Sequence, residues 1–178
     1  MGIPTLISTS TASNDANVDI TSGIDSTYDE YMFVLTDIGP ATDQANFTFQ
    51  VNAAGGSGFN ETITSTWWEA IHNEDDDTAQ IGYAAGHDQA QGTAYQYIGA
   101  NLGNGAEESS AGILHLFSPS STTFVTHFYG TFNLHLYHNY TVNAFLAGYI
   151  NTTTAIDEIS FKFSSGNMNG VIQMYGIS

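Results

Sequence analysis

Apolar and polar positions alternate with a period of two in the clearest segments of the chain. Phe47, Phe49 and Val51 alternate with Asn46, Thr48, Gln50 and Asn52, and Ile159, Phe161 and Phe163 alternate with Glu158, Ser160 and Lys162. Successive side chains of a strand point to opposite faces, so these segments predict half-buried strands with one wet side. Four further runs, residues 31–35, 112–117, 124–132 and 144–150, are apolar on both faces. They predict interior strands, or strands covered by a neighbouring subunit. Residues 172–177 predict a closing strand. Turn signals separate the runs: Ile38-Gly39-Pro40, Ala54-Gly55-Gly56-Ser57-Gly58, Gly103-Asn104-Gly105, Ser118-Pro119-Ser120-Ser121 and Gly166-Asn167. Helical periodicity does not persist beyond a turn, although residues 75–91 leave room for a short helix. The pattern predicts an all-β, single-domain antiparallel β-sandwich, jelly-roll-like, of about eight to ten strands. Residues 1–27, dominated by Ser, Thr, Asn and Asp with only Val18 and Ile20 as a strand signal, are expected to form an N-terminal arm or edge element, and residues 28–178 the sandwich.

Length and composition agree with a packed domain. A chain of 178 residues buries roughly 70% of its unfolded surface on folding. The apolar fraction of 42% argues against disorder, while only 11% of residues are charged, so the surface is mostly neutral polar. Charge changes the picture more. One basic residue, Lys162, stands against 18 acidic ones, for a formal net charge of -17. Without Lys or Arg to displace phosphate counterions, neither nucleic acid nor an anionic membrane is an expected partner. The single-sign field suits solubility. Without cysteine, no disulfide or thiolate metal site is possible. The N-terminal residues show neither a basic n-region nor an apolar h-region, so no secretory signal is expected. A polar, exterior-type surface without an export signal fits a virion part made in the bacterial cytoplasm and released by lysis, and it equally fits a cytosolic protein of a halophile.

Candidate chemistry is sparse. Asp75, Asp76 and Asp77, with Glu107 and Glu108, are the acidic runs. Calcium needs roughly six to eight oxygen ligands, whereas adjacent carboxylates on an extended loop point apart, so solvated loops are expected, with calcium left as the alternative. His127, His135 and His138 lack a metal-binding spacing, and His115 is expected to be a hydrogen-bonded interior residue. No nucleophile elbow occurs, and carboxylates adjacent in a strand face opposite ways, so no enzyme, catalytic residue or cofactor is expected. The aromatics Trp67, Trp68, Tyr95 and Tyr97 form the candidate exposed contact patch, suited to subunit packing or to stacking on a glycan.

Longer blocks carry a resemblance. They are Ile24-Asp25-Ser26-Thr27-Tyr28-Asp29-Glu30-Tyr31-Met32-Phe33-Val34, then Ile38-Gly39-Pro40-Ala41-Thr42-Asp43, Ala54-Gly55-Gly56-Ser57-Gly58-Phe59-Asn60, Leu114-His115-Leu116-Phe117-Ser118-Pro119 and Ala147-Gly148-Tyr149-Ile150-Asn151. In these, and over nearly its whole length, the chain resembles a family of virion structural proteins of marine tailed phages. The resemblance implies a β-sandwich or jelly-roll protein on the virion exterior. It would decorate or cement the capsid as a homotrimer bound to the major capsid protein, or serve as a glycan- or receptor-binding module of the tail fibre. It transfers no catalytic residue.

Overall fold

The computed structural model describes residues 2–178. Among them are twelve strands: β1 (Thr5–Asp15), β2 (Val18–Ile20), β3 (Glu30–Pro40), β4 (Ala45–Ala53), β5 (Ile63–Asn73), β6 (Ala79–Tyr83), β7 (Gln96–Leu102), β8 (Ser110–Phe117), β9 (Thr126–Leu136), β10 (Tyr140–Ile150), β11 (Ile156–Phe163) and β12 (Met168–Ile177). The region left open for a short helix contains β6 and turns instead.

The strands form one antiparallel sheet, not the two facing sheets of a sandwich. Hydrogen-bonded neighbours run β1-β12-β3-β8-β9-β7-β4-β11-β2, and these nine strands turn through 308°, so the sheet nearly closes into a barrel. This corrects the expected jelly-roll-like sandwich of residues 28–178. The physical reason is curvature. Register shifts interrupt the ladders of β1 with β12, β12 with β3, β3 with β8, β4 with β7 and β4 with β11, and each bulge adds bend and twist to the sheet. At the β3–β12 shift, Asp37 has φ of 54° and Gly170 has φ of 130°. A Cβ on Gly170 would lie 2.9 Å from the Asp37 carbonyl oxygen, so the bend requires glycine there.

The N-terminal segment supplies both ends of that path. β1 pairs with β12 and β2 with β11, so residues 5–20 flank the barrel's seam. At β9 the sheet forks. β8 lines one edge and β10 the other over the full strand, while only Leu136 bridges to Leu102 of β7. One branch completes the barrel through β7, and the other continues through β10, β5 and β6 as a flap.

The interior is aromatic. Phe33 and Phe161 lie 5.7 Å apart, Phe47 and Phe163 5.0 Å, and Phe49 meets the edge of Phe128 at 5.2 Å, all of them buried. The ring of Phe132 occupies space left by two glycines on neighbouring strands: a Cβ on either Gly112 or Gly130 would approach it to 2.4 Å. At one end Tyr31 fastens the segment before β3. Its hydroxyl accepts from the Asp25 backbone N–H at 2.9 Å and lies 3.0 Å from the Asp25 carbonyl and 3.1 Å from its carboxylate.

Two outcomes are expected from this core. Phe161→Ala should cost about 3–5 kcal/mol in urea unfolding, and a midpoint near the parent's would contradict its burial. Desolvation, followed by the Asp25 carboxylate, raises the Tyr31 phenol above its ordinary 10.0. The folded state therefore holds this proton more tightly than the unfolded state, so the contribution is complete below about pH 10 and lost as pH rises through the raised value. The Asp25 carboxyl is lowered by hydrogen bonds from Thr27 and then Tyr31, so its contribution is lost only as pH falls below the ordinary carboxylate range. Melting curves across alkaline pH should show a decline that Tyr31→Phe makes shallower.

Candidate functional site

Strand alternation separates the residues of the expected aromatic patch. On β5, odd-numbered Trp67 faces inward and is fully buried; its Nε1–H donates to Glu69 at 2.8 Å and its ring meets His87 edge-on at 5.3 Å. Even-numbered Trp68 faces outward, is 41% exposed, and stacks on Phe145 of β10 at 3.9 Å and 5°. Tyr95 is half-buried beside β11, with its hydroxyl 3.2 Å from Ser160 and the Lys162 ammonium 3.9 Å from its ring centre. Tyr97, also half-buried, accepts from Asn46 at 3.3 Å and packs beside His87 at 5.6 Å. Trp67 and Tyr97 thus meet through His87 inside the molecule, while Trp68 lies on the opposite face of β5.

The inner side of that strand is held by a buried polar network. Ser65 donates to Gln96 at 2.6 Å and accepts from the Gln89 backbone N–H at 2.9 Å, and the Gln96 amide donates to the His87 carbonyl at 2.8 Å. The fully buried Gln50 amide reaches the carbonyls of Glu61 and Ala94, each at 3.0 Å. These bonds tie the segment between β6 and β7 across the outside of β4, so that both faces of β4 are buried.

The acidic runs sit on turns. Asp75, Asp76 and Asp77 are exposed between β5 and β6, where Asp76 pairs with His72 and Asp77 accepts from Asn73. Glu107 and Glu108 lie between β7 and β8, and Glu108 accepts from the Gly105 backbone N–H. Among the described residues, no three of His, Asp and Glu converge as a metal-binding group.

A different set of rings gathers on the outer face. Tyr129 of β9 stacks on His115 of β8 at 4.7 Å and 12°, with Phe117 at 5.5 Å and 16°. His115 is hydrogen-bonded to Glu30 on β3. It is therefore a partnered residue, as expected, but an outer one, because Leu114 and Leu116 take the inner side. Farther along the face, Phe145, Trp68 and Tyr83 are register partners across β10, β5 and β6. Ile81, 71% exposed, continues the face on the flap edge. Beside the first group lies a groove of about 370 Å³ bordered by Thr64, Thr66, Phe117, Tyr129, Ala147 and Tyr149, with no carboxylate or lysine in its lining among the described residues. The rings and hydroxyls of this face offer stacking and hydrogen bonding.

These positions were missed because which residues stand beside one another depends on the register between strands, which a period of two does not reveal. Their signal was present: the runs 31–35, 112–117 and 144–150 fall within β3, β8 and β10, and the run 124–132 enters β9 at Thr126, four strands that are consecutive in the sheet. No protein-family model matches the chain, and no curated protein matches it.

The two tryptophans give a direct check. Acrylamide should quench Trp68 emission and leave Trp67 nearly untouched, so Trp68→Phe should yield a blue-shifted, poorly quenched protein. Trp67→Ala should cost about 3–5 kcal/mol, whereas strong quenching in Trp68→Phe would contradict the inward placement of Trp67.

Proposed function

We propose that this chain is a non-enzymatic structural protein of a tailed-phage virion, decorating or cementing the capsid exterior as a homotrimer. One observation carries the proposal. Strands β3, β8, β9 and β10 lie next to one another, so Met32, Val34, Ile113, Phe117, Tyr129 and Phe145 share one outer face, among histidine and threonine, instead of being scattered over the surface. Such a face calls for a partner surface, and aromatic residues are those that anchor protein interfaces. The sequence resemblance to phage virion proteins directs this need toward a second copy and the major capsid protein. Repetition over a symmetric shell then converts weak single contacts into durable attachment. With a net charge of -17, positive charge in the contact comes from the shell.

A second reading, a glycan-binding module of the tail fibre, is favoured by the groove beside Tyr129, whose neutral lining of rings and hydroxyls suits a sugar more than a protein edge.

Immunogold electron microscopy of intact particles, with antibody against the recombinant protein, tests the first reading. Gold over the heads is expected. Gold confined to tails would overturn the capsid placement, and unlabelled particles would overturn the virion assignment. Ile81→Asp should lower the occupancy of stripped particles on re-addition while shifting stability by no more than about 0.5 kcal/mol, the usual range for an exposed site.

A further inference from the structure

We infer that the groove beside Tyr129 is a subsite for one uncharged sugar residue, stacked on the open face of the Tyr129 ring. The inference rests on the second reading above, that the protein contacts glycans. Tyr129 is 48% exposed, and its two ring faces differ. His115 covers the β8 side at 4.7 Å. On the β10 side the register partner is Ala147, whose methyl group is too short to reach up the ring. A flat aromatic face beside a shallow floor complements the C–H face of a pyranose.

The surroundings supply the polar half of that recognition. The side chain of Thr64 already accepts from the Gln91 amide at 2.7 Å and from its backbone N–H at 3.2 Å, so its own hydroxyl proton is directed elsewhere. Thr66, His127 and Tyr149 add two hydroxyls and an imidazole to the rim. A few convergent polar groups around an apolar wall are the usual composition of a small-molecule site, and a volume of about 370 Å³ lies toward the lower end of the roughly 300–1,000 Å³ such sites span. The rim also restricts the sugar's charge. A molecule of net charge -17 repels sialic and uronic acids, and among the described residues no lysine or arginine lines the groove to compensate. The wall is held ready before binding: Tyr129 is supported by His115, which Glu30 anchors in turn.

Saturation-transfer NMR and calorimetric titration with neutral oligosaccharides of glucose, galactose and N-acetylglucosamine, using sialyl-lactose as the charged probe, test the inference. Binding of at least one neutral probe and none of sialyl-lactose is expected. Tyr129→Ala should weaken that binding roughly ten-fold or more, and Tyr129→Phe should retain it, since the ring face does the stacking. Ala147→Tyr, which fills the groove from its exposed floor, should abolish binding with an unchanged melting temperature. Neutral-glycan binding that survives both Tyr129→Ala and Ala147→Tyr would overturn the subsite while leaving the glycan reading intact. Absence of binding to every probe would overturn both. Concentration-dependent sedimentation abolished by Ala147→Tyr would show a second copy in the groove and likewise overturn the sugar assignment.

Discussion

A sheet that curls upon itself has a single interior, and that geometric fact governs the molecule. The rings of Phe33, Phe47, Phe49, Phe128, Phe132 and Phe161 fill the inside from four strands, and their packing to native density depends on the bend at Asp37 and Gly170 and on the space left by Gly112 and Gly130. Once that interior is full, no second sheet remains to shelter the outer side. The segment between β6 and β7 covers β4, held by the amides of Gln50 and Gln96, but among the described residues no segment does the same for β8, β9 and β10. The contrast between a padded side and a bare one follows from where these buried polar tethers fall.

Local alternation carried a good part of the fold. The pattern around Phe49 and Phe161 identified β4 and β11, which are register partners, and the doubled apolar runs marked the strands that form the bare face. Closure was not legible, because it depends on register shifts between strands far apart in sequence, and a period of two says nothing about them. Nor were β1 and β6. β1 reads Thr-Leu-Ile-Ser-Thr-Ser-Thr and buries only Ala12, since it borders the seam, and β6 is exposed along its whole length at the flap edge. Edge strands need no apolar alternation to pair on one side, so their sequences resemble loops.

The aromatic site followed the same division. That Trp67 and Trp68 must face opposite ways is a local property and was readable. That His115, Tyr129 and Ala147 form one row is a property of the β8–β9 and β9–β10 registers, which join residues up to 32 positions apart (147 − 115). Met32 of β3 extends that row, and Glu30, one row over, reaches it through its bond to His115 from still farther upstream. Individual ring positions could be recognised as strand residues, but their company could not.

Lys162, the only basic residue, lies in β11 between β2 and β4, with its ammonium against Tyr95. Trypsin cuts after Lys or Arg, so the chain offers it one bond, Lys162–Phe163, inside a paired strand. A protease needs several residues of extended, unpaired backbone, and here these become available only when β11 leaves the sheet. The native protein is thus almost invisible to trypsin, and when cleavage occurs it comes as one cut whose rate reports how often the barrel wall opens.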